Sequence, residues 1–384
     1  MGHSWRWLAR LPAITLALMG LAMASGPAAS EAAGGEIEAI AQALFEDTEA
    51  PAIGILVMDS GEVIAEMALG ERALGSGVAV QPGDLWHVGS ITKSMTATLV
   101  ARLAEDGALS WDLTIGEALG GRIDAIDPAF QDVTFAELLT HTSGLAPNIG
   151  MVRFLQFERT SPDARQERLD YAAEMLTRGP AGTPRETFAY SNAGYIVAGA
   201  MVETVMGARW EELVTAHVFT PLGITSAGFG AQGSPETVDQ PRGHKPVFLG
   251  FGRTPVVPGG GADNPEVLGP AGRVHMRLED LATYANAHLT GQTPDGAAFL
   301  SEESLRRLHT PRQERYAMGW VVQEGGARPG LLWHNGSNTT NYAEVYADPG
   351  SGLVIAMAAN DHDARGLGIA FRASARRLFA ALGD

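Results

Sequence analysis

The sequence predicts an α/β fold, an antiparallel sheet flanked by helices with a mainly helical domain inserted into it. Three observations carry this. Short apolar runs separated by tight turns lie at both ends of the chain. The middle repeats apolar residues at helical spacing. The strand-like runs are joined by turns and not by crossover helices, which favours antiparallel pairing.

Taken in order, Glu36 to Phe45 has a helical apolar pattern. Ile53 to Met58 and Val63 to Leu69 flank Asp59-Ser60-Gly61-Glu62, a hairpin signal. From Ser90 to Asp106, apolar residues recur at Ile91, Met95, Leu99 and Leu103, and Gly107 follows as a C-terminal cap. Phe135 to Thr140, Asp163 to Thr177, Tyr195 to Met206 and Trp210 to Val218 read as helices. Residues 231–270, with Gly259-Gly260-Gly261 and several prolines, read as a long irregular stretch of the kind that is functional or mobile. Leu278 to Leu289 is helical again. Met318 to Gln323, Leu331 to His334, Tyr342 to Ala347 and Leu353 to Ala359 are strand-like, and Gly366 to Leu382 closes the chain as an amphipathic helix. The expected domains are residues 37–110 with 271–384 for the α/β part, and 111–270 for the helical insert.

The N-terminus reads as a secretory signal over residues 1–24. Arg6 and Arg10 precede the apolar stretch Leu11 to Ala24, and Ala22-Met23-Ala24 offers a small-x-small cleavage site. The stretch is shorter than the ~20 residues a spanning helix needs; an uncleaved anchor is the alternative. Residues 25–36 read as a linker. The expected product is exported, periplasmic or secreted, without stable membrane insertion after cleavage.

The 384 residues carry a net charge of −17 and no cysteine. The acidic balance disfavours nucleic acid and anionic lipid as partners. The missing cysteines exclude disulfides, thiol nucleophiles and thiolate metal sites. No H-E-x-x-H or paired-His spacing suggests zinc, and no G-x-S-x-G suggests a nucleophile elbow. The glycines at 259–261 lack the flanking residues of a phosphate loop. No metal or cofactor is expected; the expected partner is a small-molecule or short peptide substrate.

Lysine is the informative residue. Only Lys93 and Lys245 occur among 27 basic residues. Lys93 lies three residues after Ser90 at the start of a helix, which puts both on one face. A serine hydroxyl needs a neighbouring base. Lysine can become one when desolvated, whereas arginine cannot. Lys93→Arg is therefore expected to abolish acylation while leaving the fold intact. Alone, S-x-x-K also describes a capping serine followed by a solvated lysine. Tyr190-Ser191-Asn192 adds a phenol, a candidate base if cations depress it, and an amide able to bind a carbonyl. It would otherwise be a core tyrosine beside an N-cap. His334-Asn335-Gly336-Ser337 lies on or after a strand, where Gly336 would let a substrate approach the backbone. The N–H groups of Ser90 and Ser337 would then face one developing oxyanion.

These three pieces, in this order, resemble the class C β-lactamases and their penicillin-binding, D-aminopeptidase and esterase relatives, which share the β-lactamase/transpeptidase-like fold. Leu138-Leu139-Thr140-His141-Thr142-Ser143-Gly144-Leu145, Pro221-Leu222-Gly223-Ile224 and Pro270-Ala271-Gly272 are similar too. The resemblance implies Ser90 as acylated nucleophile and Lys93 and Tyr190 sharing the base role. It implies Asn192, His334, Gly336 and Ser337 at the substrate and oxyanion site. It reads His141 as structural, packed within the helical domain. Two departures matter: His334 stands where β-lactamases of this class have lysine, and Ser337-Asn338-Thr339-Thr340-Asn341 replaces a glycine-rich run. The implied activity is hydrolysis of esters or small amides. The alternatives are a D-alanyl-D-alanine carboxypeptidase or β-lactamase, and a non-catalytic ligand-binding module of the same fold.

Overall fold

The structure, a computed structural model, describes residues 27–247 and 252–383. The expected signal segment lies outside the described residues. No helix among them is long and apolar enough to cross a membrane.

In chain order the strands are β1 (Ala52–Asp59), β2 (Glu62–Gly70), β3 (Leu85–His87), β4 (Gly228–Phe229), β5 (His244–Pro246), β6 (Arg253–Pro255), β7 (Val274–Arg277), β8 (Val321–Val322), β9 (Leu332–Ser337), β10 (Tyr342–Ala347) and β11 (Leu353–Ala359). Six form the main sheet in the order β2-β1-β11-β10-β9-β8, antiparallel throughout. The N-terminal hairpin thus pairs with the C-terminal strands, Ile55 opposite Met357. β1 and β11 meet because each is apolar on both faces and needs cover on both.

The two-residue period sorts the side chains. Ile53, Ile55 and Val57 join Ile355 and Met357 in a core beneath the terminal helices Pro27–Asp47 and Ala364–Leu382. Leu56, Val345 and Ala356 face the opposite way. They belong to a larger core that continues through Leu99, Phe130, Leu138 and Val197. The helices of residues 92–214 therefore share one core with the sheet.

Several local expectations are corrected. Residues 25–36 are not a linker, since the first helix begins at Pro27. Alanine is the strongest helix former, and proline is well tolerated in a first turn. Residues 231–270 are less irregular than their glycines suggest, because β5 and β6 pair within them and His244 is buried. The strand expected at 318–323 shortens to β8. That expected at 331–334 extends through Ser337, because Gly336 and Ser337 pair with Ala343 and Tyr342. A small sheet, β3-β7-β4, carried no legible signal.

Candidate active site

Ser90 sits in a single 3-10 turn, Gly89–Ile91, that runs straight into the helix Thr92–Glu105. One turn on, Lys93 is fully buried, its Nζ 2.9 Å from Ser90 Oγ and 2.7 Å from the Ala271 carbonyl oxygen. That carbonyl is fixed by its neighbours. Thr96 Oγ1 donates to the Pro270 carbonyl at 2.7 Å, and Val274 N–H donates to Thr92 Oγ1 at 3.2 Å. Burial drives the lysine down to about 7, because the charged form loses its hydration.

Tyr190 lies against Lys93, with Nζ 4.9 Å from the ring centroid. Its edge leaves 39% of the residue exposed, while its hydroxyl faces Ser90. Burial of the phenol raises it to about 12, and a hydrogen bond with Ser90 opposes that only in part. Asn192 opens the helix Asn192–Met206, which Ser191 caps by accepting from the Gly194 N–H. The Asn192 amide donates to Asn148 Oδ1 at 2.9 Å, a partner with no motif of its own in the sequence.

His141 lies under this group and not inside the helical segment alone. Its ring centroid is 4.3 Å from Tyr190, 4.5 Å from Tyr316 and 5.3 Å from Tyr195. Its Nδ1 accepts from the Ser191 N–H at 3.0 Å. Burial, then the nearby Lys93, keeps it well below the usual histidine range.

β9 closes the other side. A Cβ on Gly89 would stand 2.3 Å from the Ser337 nitrogen, and one on Gly336 would stand 2.5 Å from the Ser90 nitrogen. Only two glycines allow this approach, which brings the Ser90 and Ser337 amides to one place. β8 pairs with Leu332 and Trp333 and stops there, so the Gly336–Ser337 end of β9 lies beyond that pairing.

His334 departs from its expected role in substrate binding. It is 2% exposed, its Nδ1 is 2.6 Å from the Asn335 carbonyl oxygen and its Nε2 is 3.0 Å from the Tyr316 hydroxyl. Nδ1 must donate to the carbonyl, so Nε2 accepts from the phenol. Burial, then Lys93, holds the ring neutral, down at about 3. Sequence alone could not show this, because Tyr316 arrives from outside any motif.

Ser90, Asn192 and Ser337 line a cavity of about 300 Å³. Its far wall is apolar, with Ile149, Met151, Phe154 and Leu268. None of the described side chains lining it is acidic or basic. Among the described residues no cluster of acidic, histidine or cysteine side chains could hold a metal ion. The arrangement offers a hydroxyl beside an amine that titrates at about 7, a protonated phenol and two converging amides, which is the equipment of acyl transfer.

A sheet built from both chain ends, with a serine and a lysine one turn apart beside it, is the arrangement of a serine hydrolase of the β-lactamase-related class. The Beta-lactamase family profile matches residues 37–376, and the chain belongs to that family. It is 28% identical over 332 residues to Penicillin-binding protein 4 of Amycolatopsis lactamdurans, covering 83% of each chain. Longer relatives also match, and the chain spans 62% and 64% of the length of two of them. Among solved structures it is similar to EstCE1, described as a hydrolase with promiscuous acyltransferase activity. That match has a TM-score of 0.73 at 16% identity, covering 93% of this chain and 100% of that one. The D-amino acid amidase of Ochrobactrum anthropi SV3 superposes with a TM-score of 0.73 at 19% identity, covering 91% and 98%.

Proposed function

We propose that this protein hydrolyses esters or small amides with an uncharged, apolar acyl part, through an acyl-enzyme on Ser90. The observation that carries the reading is Lys93, which is buried, within hydrogen-bond reach of Ser90 and held at about 7. Ser90 Oγ attacks the substrate carbonyl as Lys93 Nζ takes its proton. The amides of Ser90 and Ser337 receive the oxyanion. The proton passes from Lys93, by way of the Tyr190 hydroxyl, to the leaving alkoxide or amine. Water then attacks the ester carbonyl, giving its proton to Lys93, which passes it to Ser90 Oγ as the acyl–oxygen bond breaks and the carboxylic acid leaves. Between the two candidate bases the environment favours Lys93, since Tyr190 at about 12 keeps its proton near neutral pH.

The substrate class follows from the cavity. A carboxylate-bearing substrate needs a fixed cation, and His334 is neutral with both ring nitrogens engaged. The apolar wall instead suits a hydrocarbon acyl group. The test is intact-mass analysis after a fluorophosphonate probe, followed by nitrophenyl ester and fluorescent penicillin substrates side by side. One adduct on Ser90 with ester turnover supports the reading. No adduct makes the protein a binding module. Faster acylation by penicillin than by any ester moves it to the D-alanine-directed branch.

A further inference from the structure

We infer that Asp263 is a positioning residue of this site, holding the Gly89–Ser90 turn and the Ser337–Asn338 end of β9 at the spacing that a two-amide oxyanion site requires. The inference rests on Ser90 being the nucleophile.

Each carboxylate oxygen serves one half of the site. Oδ2 is 3.0 Å from His87 Nε2, and Oδ1 accepts from the Asn338 amide at 2.9 Å. His87 passes the constraint on, because its Nδ1 accepts from the Gly89 N–H at 3.1 Å. A ring nitrogen that accepts cannot carry a proton, so the proton is on Nε2 and needs an acceptor in the core. Asp263 is that acceptor. On the other arm, Asn338 Oδ1 accepts from the Asn341 N–H at 2.9 Å and the Thr340 N–H at 3.2 Å. This shapes the turn that follows Ser337.

The two arms end where the backbones touch, at Gly89 against Ser337 and Gly336 against Ser90. Asp263 is itself buried and secured. Arg273 Nε lies 3.5 Å from Oδ2, and Arg159 donates to the Asp263 carbonyl oxygen at 2.5 Å. Burial alone would raise its carboxyl, but His87, Arg273 and the hydrogen bonds outweigh that and hold it at about 2. Asp263 does not line the substrate cavity, although Asn264 does. It therefore acts through the amides and not on the substrate.

Asp263→Asn tests this at constant size. Its amide group would meet the His87 or Asn338 donor, so one arm is lost. The readouts are the rate of fluorophosphonate labelling of Ser90, and kcat and KM for a short nitrophenyl ester, each normalised to titrated active sites. The expected result is a fall of about 10- to 100-fold in kcat and labelling rate at unchanged KM. Asn338→Ala should give a smaller fall. A wild-type labelling rate in Asp263→Asn overturns the inference. So does a loss accounted for by fewer titratable sites. Should Asp263→Asn not fold, His87→Gln and Asn338→Ala carry the test, and wild-type kcat in both overturns it. Failure of the wild-type protein to label would instead remove the hydrolase reading.

Discussion

Lys93 Nζ lies 2.9 Å from Ser90 Oγ, and burial is what brings the amine down to about 7. The unprotonated amine is the reactive form. The value of kcat/KM for an uncharged ester should therefore rise with pH through about 7 and level off above it. Tyr190 at about 12 imposes no fall below pH 10. A pH–rate profile from 5 to 9 checks this, and a profile flat across that range would remove Lys93 as the base.

The same burial costs stability. An unfolded chain holds the Lys93 proton up to about 10.5, the folded one only to about 7. Between those values the unfolded state binds more protons, so stability rises with pH, and the full penalty applies below 7. It amounts to roughly 4–5 kcal/mol, offset in a Lys93→Met variant by the lost hydrogen bonds to Ser90 and Ala271. Lys93→Met should melt higher than wild type at pH 7, by about 2–3 kcal/mol of stability, and the gap should close towards pH 10. Thermal melts at both pH values decide it. Lys93→Arg, which the sequence alone suggests is fold-neutral, is not so in this site: its charge cannot be shed where the side chain is fully buried.

Tyr316 is the hydrogen-bond donor that keeps His334 Nε2 satisfied. Tyr316→Phe leaves a buried acceptor without a partner, at a cost of about 1–3 kcal/mol. Urea denaturation should show that loss, while KM for neutral esters stays at the wild-type value. A large rise in KM would mean that His334 does contact substrate.

Met151, 70% exposed, and Phe154 form part of the apolar wall of the cavity. Met151→Ser removes surface that a long acyl chain would cover, worth about 1–2 kcal/mol. The expected result is a fall of about tenfold in kcat/KM for an octanoyl ester, with little change for acetyl and a melting temperature within a degree or two. Equal effects on both esters would place the acyl group elsewhere.

Ser90 and Lys93 were readable from the chain because one helical turn fixes their relation whatever surrounds them. The hairpin at residues 53–69 and the closing helix were equally local, the first written as two apolar runs around Asp59-Ser60-Gly61-Glu62 and the second as an amphipathic repeat. Tyr190, Asn192 and Gly336 were readable only as motif residues, since nothing local says that they meet. The linker reading at 25–36 failed because helix propensity outweighed Pro27, Gly34 and Gly35.

What the sequence determined by itself was the Ser90–Lys93 pairing and the antiparallel architecture that presents it. Only the tertiary structure decided their protonation and their supports. The Lys93 amine can shed its proton near pH 7 because of what is packed around it. His334 is turned from a substrate contact into a buried link by Tyr316, a residue 18 positions away. Asp263 reaches His87 across 176 positions. Hydration and hydrogen-bond partners are properties of a neighbourhood, and a neighbourhood exists only once distant segments have packed.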